Sequence, residues 1–363
     1  MNAKHKTRVL LLGPSLTGVG GVTTHVRVLL GSHLADRFDL THFEVGSEGR
    51  SERSLARVWR LFTRLVTLSV VLARKRPDIV HLNTSLNTKA AVRDMLLLGV
   101  ARLAGTNAVM QVHGGAPLGR FVAHNKTLGW CLRHALRSAQ AVVVLSQTEL
   151  GAYRAWDPSI KLHLVPNAVD ESALSDQARS LRSHDTLRLL YLGRLVESKG
   201  VFEAIEALVI LNQQGRSVEL SLAGAGPDEM KLRARVAEAG LDQCVRFLGP
   251  VFDDEKRRAL MDADVFVFPT HQEALPYALL EALAAGCVPV SCPVGAIPEV
   301  MQDGIHGLLV PPVNVAALAE ALAKLDDDRA SIVRMAVAGA SRVRQFYTTE
   351  RLSADLGRLY ASL

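Results

Sequence analysis

The chain has 363 residues, 48% apolar and 21% charged, with a mean hydropathy of +0.16, which excludes a disordered or purely solvating polymer. Its length predicts two domains. Net charge is +6 but unevenly placed: residues 1–150 hold 20 Lys/Arg against 8 Asp/Glu, a net +12, and the remainder holds 22 against 28, a net −6. A basic half joined to an acidic half predicts domains with different partners.

No run of 18 uncharged apolar residues occurs, so no spanning helix is expected. The longest candidate, Leu65 to Ala73, runs at once into Arg74-Lys75-Arg76. Val9 to Leu12 is too short for the apolar region of a signal peptide and suits a first strand. Cys131, Cys244, Cys287 and Cys292 form no CxxC pair, so reduced thiols and a cytoplasmic location are expected.

In chain order, short β-branched or apolar runs alternate with longer helical stretches, the pattern of βαβ units and parallel sheets. The first set of strands is expected at Arg8–Gly13, Phe38–Val45, Asp78–Asn83, Ala108–His113, Ala141–Ser146 and Lys161–Pro166. Polar, aperiodic residues 167–186 read as a linker. The alternation then restarts at Leu187–Gly193, Val218–Gly224, Val245–Gly249, Val265–Pro269, Val288–Ser291 and Leu308–Val310. This predicts an α/β protein of two doubly wound, Rossmann-like domains, with ligands at the carboxyl ends of strands. Domain boundaries are expected at 1–168 and 187–345, with 169–186 between. Near the end, Leu352, Leu356, Leu359 and Tyr360 make a helical stripe that must be buried, and residues 346–363 are expected to pack back on the first domain.

The first strand ends in GPSLTGVGGV, and a helix is expected from Thr23. Glycines at such a turn, Gly20 and Gly21 among them, let backbone N–H groups approach a phosphate; a plain surface loop is the alternative. Neither GxGxxG nor a Walker loop is present. The second domain's first strand runs into Gly193-Arg194 and then Lys199-Gly200. A planar guanidinium and a mobile ammonium five residues apart suit a diphosphate, although a solvated helix start has the same composition.

From Val265 the chain reads VFVFPTHQEALPYALLEALAAG. Glu273 falls in a loop and Glu281 inside a helix among leucines and alanines, where a carboxylate is costly without a donor. Two such carboxylates beside a helix start could bind the hydroxyls of a ribose and a hexose; an amphipathic surface helix is the bland alternative.

Taken in order, GRLVESKG, LAGAGP, FLGPV, FPTHQEALPYALLEALAAG, GAIPEV and DGIHGLLV resemble the retaining glycosyltransferases of family 4, the group 1 transferases with the GT-B fold. The likeness covers nearly the whole chain and is strongest over 187–325. The resemblance implies an N-terminal acceptor domain and a C-terminal donor domain facing a central cleft. It implies a nucleoside-diphosphate-sugar donor, a saccharide or lipid-linked acceptor, and no cofactor. Arg194 and Lys199 would neutralise the diphosphate, Glu281 would bind ribose, and the base would lie near Val251. Glu273 would meet the sugar's distal hydroxyls with the N–H groups of Ala274 and Leu275. Gly20 and Gly21 would close over the phosphates, and His113 would sit at the reacting centre. Many members have Glu-Gly-Phe-Gly-Leu-Pro where this chain has Glu273-Ala274-Leu275-Pro276, a departure that bears on the preferred sugar. A sugar-nucleotide epimerase or a non-catalytic sugar-nucleotide binder would share these features.

Asp262-Ala263-Asp264 imitates a metal-binding DxD motif but precedes a strand, so a capping or solvated turn is expected and no essential metal. The remaining histidines, His25 and His81 included, show no HxxxH spacing. Asp326-Asp327-Asp328 reads as a solvated acidic turn. Arg53, Arg57, Arg60 and Arg64 recur at helical spacing among Leu55, Trp59, Leu61, Phe62, Leu65 and Val66. Arg120, Lys126, Arg133 and Arg137 add charge around Phe121, Leu128 and Trp130. Such a face fits either an anionic membrane surface or an ordinary solvated helix. Nucleic acid is not expected, since aromatic stacking motifs are lacking and the C-terminal half is acidic.

Overall fold

The computed structural model describes residues 6–18, 20–46, 54–170 and 186–363, without the side chains of residues 54 and 55. Arg53 and residues 171–185 of the expected linker lie outside that set. The chain divides into two compact units, residues 1–168 with 349–363, and residues 169–348.

The first unit holds six parallel strands: β1 Arg8–Gly13, β2 Asp39–Glu44, β3 Ile79–Leu86, β4 Asn107–Gly115, β5 Ala141–Val144 and β6 Leu162–Leu164. Their order is β2-β1-β3-β4-β5-β6. The central strands are apolar on both faces because helices cover both, so they read as runs such as AVVV rather than alternating patterns. One face packs Leu10, Leu12, Val80, Leu82, Met110 and Val142 against the helices Ser54–Lys75, Thr88–Leu103 and Lys126–Ser138. The other packs Val9, Leu11, Ile79 and Val109 against the helix Gly21–Gly31 and the last helix, Thr349–Ala361. Leu352, Leu356, Leu359 and Tyr360 are all buried there, and Asn107 Nδ2 donates to the Leu363 carbonyl at 3.0 Å.

The second unit repeats the plan with β7 Leu187–Leu192, β8 Val218–Ala223, β9 Val245–Gly249, β10 Val265–Phe268, β11 Val288–Ser291 and β12 Leu308–Leu309. The order is β12-β11-β10-β7-β8-β9, again parallel throughout. The sequence-predicted strands all occur, most of them a residue or two different in length. The first helix begins at Gly21 rather than Thr23, because Gly20 at φ +152° takes the N-cap without a side chain and lets the helix start earlier.

Both sheets reverse direction once. Successive strands step outward on either side of the β1/β3 junction in the first unit and of the β7/β10 junction in the second. Outside the carboxyl ends of strands at such a junction, two loops diverge and leave a crevice.

Two acidic stretches have structural work. Asp264 is 5% exposed; its carboxylate accepts from the Arg188 N–H at 3.0 Å, while its own N–H donates to the Arg188 carbonyl. The stretch 326–328 is not simply solvated. Arg216 Nη1 donates to Asp326 at 3.0 Å and Asp327 at 2.7 Å, and Asp328 caps the helix Arg329–Phe346 through the Ser331 N–H. Ion pairing and capping outcompete hydration here. All four cysteines are free thiols, and among the described residues no helix is long and apolar enough to cross a membrane.

Candidate functional site

In the second unit, the loops after β7 and β10 carry the expected donor-side residues. After Leu192 the chain passes through Gly193-Arg194 into a single 3-10 turn, Glu197–Lys199, closed by Gly200 at φ +73°. A Cβ on Gly200 would run into the Pro269 carbonyl, so glycine lets the two loops touch. The glycines of LAGAGP do the same for their neighbours: a Cβ on Gly224 would strike the Gly193 carbonyl, and one on Gly226 the Leu195 carbonyl. That motif supports the Arg194 loop from beneath.

Further contacts tie the two loops together. The His271 N–H donates to the Ser198 carbonyl at 3.1 Å, and Lys199 Nζ donates to the Gln272 carbonyl at 3.3 Å and to Glu273 Oε1. His271 Nε2 lies 2.7 Å from Glu203 Oε1, a carboxylate 8% exposed in the first turn of the following helix. Burial pushes the Glu273 carboxyl above its ordinary range, while the Lys199 ammonium and the Thr270 hydroxyl pull it back. Arg194 is exposed, and its guanidinium makes no hydrogen bond or ion pair among the described residues. A half-buried, lysine-braced carboxylate after β10 and an open arginine after β7 therefore follow two neighbouring strands. Ala274 is half-buried and Leu275 buried just before the helix Tyr277–Ala284. The Ala274 carbonyl accepts from Ala296 N–H at 2.7 Å, fixing the loop that presents Glu273.

Glu281 projects from the second turn of that helix and is 14% exposed. Its donor is Lys256, at 2.6 Å, from the helix Asp253–Asp262. Burial raises the Glu281 carboxyl and Lys256 lowers it. Sequence reasoning missed Lys256, since nothing local marks a lysine 25 positions away as the donor the buried glutamate requires. Val251 is half-buried, directly after β9 and before that same helix.

In the first unit, Gly20 and Gly21 are exposed at the start of the helix Gly21–Gly31, whose first N–H groups have no side-chain cap. His113 lies near the end of β4. Its Nε2 is 2.8 Å from Asn83 Oδ1 on β3, and Asn83 Nδ2 donates to the Leu12 carbonyl at 3.0 Å. That second bond makes Asn83 Oδ1 an acceptor, so Nε2 carries the proton of His113. The His113 ring is half-buried and Nδ1 has no partner among the described residues. The His25 ring packs 4.3 Å from it, with His25 Nε2 3.2 Å from Gln111 Oε1. His81, two residues before Asn83, hydrogen-bonds Tyr360 of the last helix through Nδ1. Burial drives His25 down to about 3, His81 down to about 4 and His113 well below the usual range, each kept low by neighbouring imidazole charge in the case of His25 and His113. All three are neutral at pH 7. His25 and His81 carry no sequence signal, because they meet His113 only across strands and a helix. Among the described residues no group of three or more His, Cys, Asp or Glu is placed to hold a metal ion.

Residues 186–328 match the family model described as glycosyl transferases group 1, and residues 5–168 the glycosyl transferase 4-like domain. The amylovoran biosynthesis glycosyltransferase AmsK of Erwinia amylovora is 36% identical over 166 residues, 44% of this chain and 41% of that protein. The chain thus spans less than half the length of that relative. Sucrose-phosphate synthase from Thermosynechococcus elongatus superposes with a TM-score of 0.79 at 21% identity, over 98% of this chain and 99% of the other. Anabaena HepE in complex with UDP-glucose gives 0.77 at 18%, over 98% and 100%. At these identities the structural likeness establishes the two-domain α/β GT-B fold. With both halves of the chain matched in order and the fold agreeing, the chain belongs to the group 1 glycosyltransferases of family 4.

Proposed function

We propose that the protein transfers a hexose-type sugar from a nucleoside diphosphate to an acceptor hydroxyl, with retention, in the synthesis of a cell-surface polysaccharide or glycolipid. One observation supports this reading: Arg194 and Lys199 follow β7, Glu273 follows the neighbouring strand β10, and Lys199 braces that carboxylate. Breaking the glycosidic bond leaves negative charge on the diphosphate, which Arg194, Lys199 and the Gly20–Gly21 amides would stabilise. Glu273, with the Ala274 and Leu275 amides, would hold the sugar's distal hydroxyls, and Glu281, aimed by Lys256, the ribose diol. The nucleoside base would lie against Val251.

No side chain is assigned as nucleophile. The incoming hydroxyl attacks the anomeric carbon on the face the leaving group departs from, and its proton passes to the departing phosphate oxygen. His113, neutral and polarised by Asn83, would contact the sugar rather than act as an acid. The charge work falls to Arg and Lys, so transfer is expected to persist in EDTA. The first unit would hold the acceptor, a saccharide or lipid-linked saccharide. Its helix Ser54–Lys75 exposes Trp59, Phe62, Val66 and Val70 at helical spacing beside Arg57 and Arg60, a face suited to the anionic cytoplasmic surface of a membrane. Vesicle binding insensitive to acidic lipid and to salt would remove that contact.

A thermal-shift screen against UDP-, GDP- and ADP-sugars, followed by transfer of label from the stabilising donor, tests the main reading. Specific stabilisation without transfer to any acceptor would leave a binder. An epimeric sugar formed from donor alone would make the protein an epimerase.

A further inference from the structure

A cavity of about 660 Å³ lies wholly within the first unit, between the helices Ser54–Lys75 and Thr88–Leu103 and the ends of β1, β2 and β3. Its walls are apolar: Val22, Val45, Leu61 and Leu97, with Val58 and Val92 at the lip. Arg57, Arg60, Arg64, Lys89 and Arg93 line it, and among the described residues no carboxylate does.

Arg93 is built for an anion. Its Nε and Nη2 donate to the two oxygens of Asp94 at 2.6 and 2.9 Å, and Asp94 is 1% exposed, so the guanidinium plane is set by a buried carboxylate. Nη1 is left over and lies against Gly46, another residue of the cavity, where a Cβ would come within 3.2 Å of it. A planar fork with one arm clamped and the other presented is suited to a phosphate oxygen. Lys89 is exposed and makes no hydrogen bond or ion pair among the described residues.

The two ends of the cavity differ. At the outer lip Val58 and Val92 are themselves exposed, and they continue into exposed Trp59, Phe62 and Leu96 on the same two helices. At the inner end stand Asn83, Ser85 and Asn87, and Asn83 is the hydrogen-bond partner of His113. Apolar surface, then cations, then neutral hydroxyl and amide groups lead toward His113.

We infer that this cavity binds the acceptor as an anionic amphiphile, a saccharide joined through a phosphate or diphosphate to a hydrocarbon chain. The hydrocarbon leaves over Val58 and Val92, the anion rests on Arg93 and Lys89, and the sugar hydroxyls reach the Asn83 end. The inference rests on the transferase reading above and adds to it the chemical class of the acceptor.

Calorimetric titration of the full chain with farnesyl diphosphate tests it, with inorganic diphosphate and farnesol as separate arms. Farnesyl diphosphate is expected to bind at least tenfold more tightly than either fragment. Arg93→Gln and Lys89→Gln should each weaken it about tenfold, and Val92→Asp more, with UDP binding unchanged. If Arg93→Gln fails to fold because Asp94 loses its partner, the surface substitution Lys89→Gln still decides. Undiminished affinity in both Lys89→Gln and Val92→Asp overturns the site. Equal binding of inorganic diphosphate overturns the amphiphile and assigns a soluble phosphate ester. Farnesyl diphosphate binding in a chain that binds no nucleotide sugar would sink the transferase reading while upholding the site, so the two failures are distinguishable.

Discussion

The two units solve the same problem, polar groups at a strand-end crevice, in opposite ways. In the first, His25, His81 and His113 are neutral and linked through amides and a phenol. In the second, Glu273 and Glu281 are each met by a lysine, Lys199 and Lys256. The first unit thus keeps its network neutral, whereas the second keeps paired charges, each carboxylate met by a lysine. Desolvation acts on both units but with opposite sign: it lowers the histidines and raises the carboxyls.

The largest break in this contrast should come from Arg194→Ala. Because the side chain is exposed and makes no hydrogen bond or ion pair among the described residues, transfer turnover should fall by about 10²–10³ while the melting temperature stays put. Near-normal turnover in both this variant and Lys199→Ala would remove the diphosphate assignment. Next is Lys256→Met, which strands the Glu281 carboxylate 14% exposed without its donor. A loss of about 2 kcal/mol in urea unfolding is expected, below the full value for a wholly buried pair, together with weaker donor binding. Unchanged stability would mean that Glu281 finds another donor.

Acid should separate the units. The folded pKa values of His25 and His81 lie near 3 and 4, below the ordinary 6.5, so the unfolded chain takes up protons first as pH falls. Stability of the first unit is therefore full above about pH 6.5 and declines toward pH 4, by up to about 1.4 kcal/mol per pH unit for each histidine. Glu273 and Glu281, raised in the fold, contribute in the other direction, with stability present at low pH and lost as pH rises through their folded values. All three tryptophans, Trp59, Trp130 and Trp156, belong to the first unit, so their fluorescence follows it alone. The urea midpoint seen by tryptophan should drop between pH 7.5 and 5.5; a rise would contradict the neutral network. The smallest effect is expected from Tyr360→Phe, which deletes the bond to His81 and should cost about 1 kcal/mol by the same measurement.

Periodicity and turn residues were enough to place the strands and the repeated α/β plan, because parallel strands covered on both faces are apolar runs and the helices between them keep their own period. Arg194, Lys199 and Glu273 stand out in the chain because each follows a strand within a few residues, and Glu281 because a carboxylate among leucines and alanines needs a donor. Lys256 beneath Glu281, His25 and His81 beside His113, Asp94 clamping Arg93 and Arg216 on the 326–328 turn were not. Each of these is a long-range or buried pairing whose need is visible in the chain, as a charge or imidazole among apolar residues, but whose partner is not. A carboxylate in low dielectric must find a donor, and which donor depends on strand order and helix packing that bring residues 25 or 110 positions apart into contact. The amphiphile cavity is of the same kind. The Arg and aromatic residues of one helix announced a cationic, apolar face, while the second helix and the strand ends that turn the face into a site came together only on folding.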